Sequence, residues 1–324
     1  MIFCPDLLQE GNTIVFTVAL DVIFYSSLLV NLYVIFCIVF LSTKSMSSYR
    51  WYLLWHQFVC MGNDIAINFI CKPVILLPFA MGYPEGILKF ILPTRHMAEL
   101  VVFSIGFSLG TVIHLFAYRY TVVQGLHSIP WQHKAGILIM YGISIVPCVG
   151  LIFAYTDERE VLREFSAEYS CITPSLFDVP GFLIYNSTRI LQFVLFPVVA
   201  TGMTFAVTIY IIIHATNKHI SSRSMSSRLA RLQKKFLVQL MFQVFVPLGI
   251  VVIPCLLFCT IVAFKMFGFV DVGHLLVASV SSFSTTGGIV LIVMNKNYRR
   301  PKFRGFGKFS ELTSVFVITT TQVK

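Results

Sequence analysis

Seven apolar runs separated by polar or charged segments set the pattern of this chain: Ile14 to Leu41, Trp51 to Cys71, Met97 to Tyr118, Ala135 to Tyr155, Ile190 to His214, Phe236 to Phe264 and Gly273 to Met294. Each exceeds the roughly 17 to 20 residues that a helix needs to cross the hydrocarbon of a bilayer. A buried core helix would account for one such run, but not for seven in a chain that is 57% hydrophobic and 12% charged. The pattern predicts an all-α membrane protein, a seven-transmembrane-helix bundle. Residues 1–13 form an N-terminal segment, 14–294 the seven-helix domain and 295–324 a tail.

Charge then orients the bundle. The net charge of +10 would point to nucleic acid in a soluble chain, but its distribution over the loops matters more here. Segments 42–50, 119–134, 215–235 and 295–324 hold 17 Lys and Arg against one acid, whereas 1–13, 72–96, 156–189 and 265–272 hold seven against ten. By the positive-inside rule the first set is cytoplasmic, so the amino terminus is expected outside and the carboxyl terminus inside. No partner nucleic acid is expected. The first ten residues lack a basic region and include Asp6 and Glu10, so the first run reads as a retained helix and not a cleaved signal.

Eight cysteines do not make a disulfide framework, because Cys37, Cys60, Cys148, Cys255 and Cys259 fall inside spans. Among the three on the outer side, Cys171 pairs with Cys4 or Cys71 or stays free, and Cys4 is favoured because its segment can reach the loop. That loop, Thr156 to Arg189, carries six acids and is either a lid over the bundle or a solvated acidic segment. The sequon Asn186-Ser187-Thr188 lies too close to helix 5 to be expected to carry glycan. Prolines at 147, 197, 247 and 254 each remove a backbone donor, and Pro247 and Pro254, two turns apart on helix 6, are expected to kink it. Leu229, Leu232, Phe236 and Leu240 share one face before helix 6, with Arg228, Arg231, Lys234 and Lys235 around the other, so this helix is expected to extend beyond the bilayer. After helix 7, Phe303, Phe306 and Phe309 alternate with basic residues as in an interfacial segment.

Residue chemistry removes several seven-helix functions. No lysine lies in Gly273 to Met294 to form a retinal Schiff base. His96 and His114 share a face but stand about 27 Å apart at 1.5 Å per residue, too far for one metal. No catalytic residues, metal or cofactor are expected, and a channel or transporter is the second reading, set back by the lack of an internal repeat.

The residues also carry a resemblance. Met46 to Phe58, followed by Asp64, is similar to the first loop and second helix of the nematode serpentine chemoreceptors, a Str-type superfamily, most closely class H. Pro73, Pro78 and Gly82-Tyr83-Pro84-Glu85-Gly86 resemble its P-x4-P and G-Y-x-x-G pattern, and Leu232 to Leu237 with Gln243, Pro247 and Pro254 its helix 6. Lys296-Asn297-Tyr298-Arg299 is similar to its closing K-P-Y-R. The chain departs at Phe116-Ala117-Tyr118-Arg119, where the class has Phe-Glu-Asn-Arg, at Phe283-Ser284, and at Asn297.

The resemblance implies a G-protein-coupled receptor for an external small-molecule ligand, placed in the cell membrane, multi-pass, of a sensory cilium, with a heterotrimeric G protein and the lipid bilayer as partners. It implies a coupling surface drawn from Arg119, Arg231, Lys234, Lys235, Tyr298 and Arg299. Counting inward from the cytoplasmic ends at about 1.5 Å per residue puts Asn31 near 15 Å, Ser282 near 18 Å and Asp64 near 21 Å. With Asn68 one turn beyond Asp64, they are expected to form a polar core like the one seven-helix receptors rearrange on activation. The alternative is that Asp64 is a neutral group satisfied by hydrogen bonds.

Overall fold

In lipid a backbone amide finds no partner but the chain itself, and long apolar runs resolve this as helices. The computed structural model describes residues 10–42, 47–77, 80–126, 129–155, 161, 180–222, 227–266 and 270–299. Cys4, Cys171, most of the acidic loop 156–189 and the tail from residue 300 lie outside the described residues. Helix 1 is Glu10–Phe40, helix 2 Ser47–Ile65, helix 3 Thr94–Val123, helix 4 Trp131–Ala154 and helix 6 Ser227–Phe264. Helix 5 opens with the turn Ser187–Ile190, widens to a π-helix over Leu191–Leu195 and continues as Phe196–Ser222. Helix 7 comes in two pieces, Val270–Ser281 and Phe283–Met294, bent by 43° at Ser282, and the turn Lys296–Arg299 follows.

Five of these helices are individually long and apolar enough to cross a membrane, and the broken helix 7 adds a sixth when its pieces count as one span. Helix 2 falls short because Arg50, His56, Gln57, Asn63 and Asp64 dilute its apolar content. Those residues point inward: His56, Gln57, Asn63 and Asp64 are all buried. Helix 2 is thus a span whose polar side is shielded by its neighbours. Beyond Ile65 it widens to a π-helix over Ala66–Cys71 and stops at Lys72, whose backbone is left-handed (φ 42°).

The connections contain a sheet that hydrophobic periodicity did not anticipate. Strands β1 (Pro73–Leu76), β2 (Met81–Pro84) and β3 (Leu183–Ile184) pair antiparallel in that order, with Val74 opposite Tyr83 and Met81 opposite Ile184. At a bundle mouth these backbone groups lose access to water, and pairing satisfies them. Val74, Leu76, Met81 and Ile184 pack with Phe16 and Leu20 of helix 1, Ile67 of helix 2 and Val277 of helix 7, closing that end. The opposite end is filled by Val34, Leu53, Phe116, Leu240, Leu291 and Tyr298, contributed by helices 1, 2, 3, 6 and 7 and the final turn.

Four prolines and a glycine illustrate how sequence sets packing. Helix 4 runs continuously through Pro147. Pro197 has no amide to offer the carbonyl of Phe193, four residues back, and the π-helix over Leu191–Leu195 sits there. That carbonyl faces Gly150 on helix 4, where any side chain would collide with it. Helix 4 therefore seats against helix 5 at its irregular turn. Helix 6 also continues unbroken through Pro247 and Pro254, and it reaches back to Ser227, well before its apolar run.

Candidate functional site

Asn31 is the hub of a buried polar cluster. Its Nδ2 donates to Asp64 Oδ2 at 2.9 Å and to Ser27 Oγ at 3.1 Å, while its Oδ1 accepts from Gln57 Nε2 at 2.5 Å and Ser284 Oγ at 3.0 Å. Ser27 in turn donates its hydroxyl proton to Asp64 Oδ2. All donors and acceptors of the Asn31 amide are thereby used, which fixes its orientation. The cluster ties helix 1 to helix 2 and to the second piece of helix 7. Gly288 permits the last contact, since a Cβ there would lie 3.1 Å from Val30 and 3.2 Å from Val34 of helix 1.

Ser282, expected in this cluster, is not part of it. Its hydroxyl bonds the carbonyl of Ser279 at 2.9 Å in the preceding turn. The 43° bend at Ser282 re-aims helix 7, and Ser284 reaches Asn31 instead. Counting rise along a straight helix finds the depth but misses this rotation. Asn68 is buried one turn from Asp64, yet its amide bonds none of the cluster. Gln57 was missed too; it lies on the Asp64 side of helix 2 at seven residues' distance, two turns, a spacing that could have flagged it.

Next to this cluster, His56 Nδ1 and Thr111 Oγ1 of helix 3 are 2.6 Å apart. The Thr111 proton goes to the Ser108 carbonyl at 2.6 Å, so His56 donates from Nδ1. Nε2 then faces the Cys60 thiol at 3.6 Å. A cavity of about 10 Å³, at the lower bound for one water molecule, separates His56, Gln57 and Ser284 from Gln243 of helix 6. A second of about 10 Å³ lies between Gln243 and Gln239 on helix 6, Arg119 on helix 3, and Tyr49 and Tyr298. Gln243 borders both.

Around the second cavity the guanidinium of Arg119 lies 3.6 Å over the ring of Tyr49, a cation–π contact from helix 3 to helix 2. Tyr298 has no exposed surface; its hydroxyl and that of Ser42 are 2.8 Å apart, and its carbonyl accepts from Tyr33 at 3.0 Å. It latches the final turn onto helix 1 and is buried in this conformation, as Arg119 is. Burial raises its phenol above the usual range. Arg231, Lys234, Lys235 and Arg299 are exposed around this end, and Arg119 is buried. Pro254 is buried, and the helix 6 backbone places Pro247 one turn from Gln243.

At the sheet end, Lys72 Nζ pairs with Asp21 Oδ1 at 2.5 Å, and Phe16 stacks on His274 with centroids 4.2 Å apart. Cys71 is a free, buried thiol. Asn186 Oδ1 accepts from the amides of Thr188 at 3.0 Å and Arg189 at 3.3 Å, so the sequon asparagine caps helix 5. Among the described residues no His, Cys, Asp and Glu gather into a metal-binding group.

The chain matches the family model described as serpentine type 7TM GPCR chemoreceptor Srh over residues 12–307. Comparison with curated proteins found no match.

Proposed function

From the premise that this chain belongs to the Srh family of serpentine seven-transmembrane chemoreceptors, and is a multi-pass membrane protein, we propose that it detects an external small-molecule cue and signals to a heterotrimeric G protein. The amino terminus and the three-stranded sheet face outside in this reading, the Arg119 end faces the cytoplasm, and the site of action is a sensory ciliary membrane. Lysine and arginine crowding at the Arg119 end supports that orientation.

The observation that carries the proposal is the position of Gln243. It borders the cavity beside the Asp64 cluster and the cavity beside Arg119. Helices 2, 3 and 7 also line both cavities, through different residues, whereas helix 6 does so through this one side chain, so a displacement of helix 6 alters both polar sites. A ligand acting at the sheet end shifts helix 6 only by preferring one arrangement of the Asp64 cluster over another. Parting helix 6 from Tyr49 and Arg119 uncovers the buried arginine and the cationic rim of Arg231, Lys234, Lys235 and Arg299, a complement to an acidic partner surface. In the conformation described here each cavity has room for about one water, and we take this closely packed arrangement as the resting one.

The test is a cAMP or calcium reporter in cells expressing the chain while a panel of volatile and water-soluble odorants is applied. Charge reversal at Lys234 and Lys235 is expected to abolish the evoked signal with surface staining intact. Unchanged signalling would reduce these residues to cations that meet lipid headgroups. An amino-terminal epitope stained only after permeabilisation would overturn the orientation and with it the receptor reading.

A further inference from the structure

From Gly106 to Thr121 helix 3 is buried except at Phe107, Leu109, His114 and Tyr120, which are part-exposed. Phe103, Phe107 and His114 are spaced by four and seven residues, one and two turns, and so share a face. That face looks out between helices 2 and 4. Phe107 packs on Trp55 of helix 2 at 6.3 Å between ring centroids and on Tyr141 of helix 4 at 5.0 Å, and Phe103 stacks on Phe107 at 5.7 Å. Trp55 is 48% exposed and Phe103 38%, so this aromatic groove opens onto the surrounding lipid.

His114 is the polar exception on this face. Its ring meets Tyr52 of helix 2 edge-on at 4.9 Å, and no group among the described residues hydrogen-bonds its nitrogens. A polar side chain inside a span ordinarily faces the bundle interior and finds a partner there, as His56 does in Thr111. A leucine at position 114 would carry no desolvation cost, so an imidazole part-exposed to hydrocarbon calls for a hydrogen-bonding group supplied from the lipid side. Tyr52 sets its depth: five residues into helix 2, about 8 Å from the start of that helix. Beside it Arg50 lies over the ring of Trp51 at 5.3 Å, a pair of the kind that marks a membrane interface. From His114 to Phe103 helix 3 rises about 16 Å, close to half of the roughly 30 Å hydrocarbon core.

We propose that this groove binds a membrane sterol. Its hydroxyl hydrogen-bonds His114 near the interface, and its rigid ring body lies along Trp55, Phe107 and Phe103 within one leaflet. The chemistry selects this occupant over other lipids. A headgroup phosphate would need a cation at the imidazole, whereas the two arginines at this end lie over rings, Arg50 over Trp51 and the buried Arg119 over Tyr49. An acyl chain meets the same aromatic surface but loses rotamer freedom by lying straight on it, a loss that a fused ring system does not incur. Occupancy bears on the Arg119 end through stacked rings: Tyr52 on Tyr118 at 4.3 Å, Tyr118 on Tyr49 at 5.9 Å, and Arg119 over Tyr49. A sterol that bridges helices 2 and 3 at Trp55 and His114 steadies that stack. The assignment does not depend on which cue the receptor takes.

The experiment reconstitutes the full chain in phosphatidylcholine vesicles with a diazirine-bearing cholesterol, irradiates it and maps the label by mass spectrometry. Cholesterol and cholestane, which lacks the hydroxyl, serve as competitors. Label is expected on the segments of helices 2 and 3 that carry Trp55, Phe107 and His114. Cholesterol is expected to displace it at a concentration about threefold to tenfold below cholestane, the worth of one hydrogen bond. His114→Leu is expected to bring the two competitors level, and His114→Gln, which keeps a donor and an acceptor, to retain the preference. Trp55→Ala, a truncation on the lipid-facing surface, is expected to weaken both competitors alike. Variants are compared after gel filtration, so that only folded protein is scored. Label spread evenly over the lipid-facing helices, competitors that rank equally on wild type, or an unchanged preference in His114→Leu would overturn the proposal. Displacement by oleic acid as readily as by cholesterol would mark an acyl-chain groove, and label that falls as receptor density rises at fixed sterol content would mark an interface between copies of the chain; either result also overturns it.

Discussion

Asn31→Ala removes a single amide and should destabilise the bundle more than any other single truncation in its polar layer. The amide makes four bonds, to Asp64, Ser27, Gln57 and Ser284. Ser27 keeps its bond to Asp64 in the variant, so two donors, Gln57 Nε2 and Ser284 Oγ, lose the acceptor they share. An orphaned buried polar group costs about 1–3 kcal/mol in water-soluble proteins, and side-chain bonds in membranes average about 0.6 kcal/mol. Two orphans and two weakened bonds at Asp64 and Ser27 come to about 3 kcal/mol. At about 2 °C per kcal/mol for a chain of this size, the melting temperature should fall by about 6 °C. Unfolding is conveniently followed with a thiol-reactive fluorophore, because Cys37, Cys60 and Cys71 are buried and free. Ser282→Ala is the internal control: its hydroxyl bonds only the preceding turn of its own helix, so its change should stay within about 1 °C. An Asn31→Ala protein that melts with wild type, or a Ser282→Ala protein that falls as far, would refute the assignment of the hub.

Gly150→Val should lower surface expression several-fold, because its side chain would be driven into the carbonyl of Phe193, a backbone clash that helix 4 relieves only by moving off helix 5; normal expression would show that this contact yields freely. Tyr49→Leu removes the cation–π contact with Arg119, worth about 0.5–2 kcal/mol, and should raise basal signalling, whereas unchanged basal activity would mean that the contact does not hold the resting state. The phenol of Tyr298 is raised by burial above its ordinary value, so its contribution is whole below pH 10 and declines as pH climbs through the folded-state value. Wild type should therefore lose stability more steeply than Tyr298→Phe above pH 10 in melting scans, and equal slopes would contradict this.

Long apolar runs made the seven-helix class legible, because a bilayer permits one answer to a 20-residue stretch without charges. Helix 2 was read as the apolar run Trp51 to Cys71, although its inward face carries polar groups that lower its apolar content. The inner ring of the site was legible in part: Asn31 and Asp64 fall at one depth and do meet, by helical rise alone. Ser284 and Gln57 were not reached, because the bend at Ser282 and the facing of helix 2 are set by tertiary contacts such as Gly288 against Val30 and Val34. The small sheet escaped notice for a related reason. Pro73–Leu76 and Met81–Pro84 are four residues each, too short for a period of two to stand out. Tyr298 looked like a surface residue in a basic terminal stretch, and only its contacts with Ser42 and Tyr33 disclose that it is a latch.

The central claim, that a cue bound at the sheet end opens the Arg119 end to a G protein, is tested most directly by nucleotide exchange. Membranes bearing the wild-type chain are mixed with purified heterotrimer, and binding of a non-hydrolysable GTP analogue is timed with and without an odorant that activates the reporter. The account predicts faster exchange with odorant, abolished by charge reversal at Lys234 and Lys235 and altered in Asp64→Asn, whose shape is kept while an amide replaces the carboxyl. Odorant-evoked ion flux with no acceleration of exchange would contradict it.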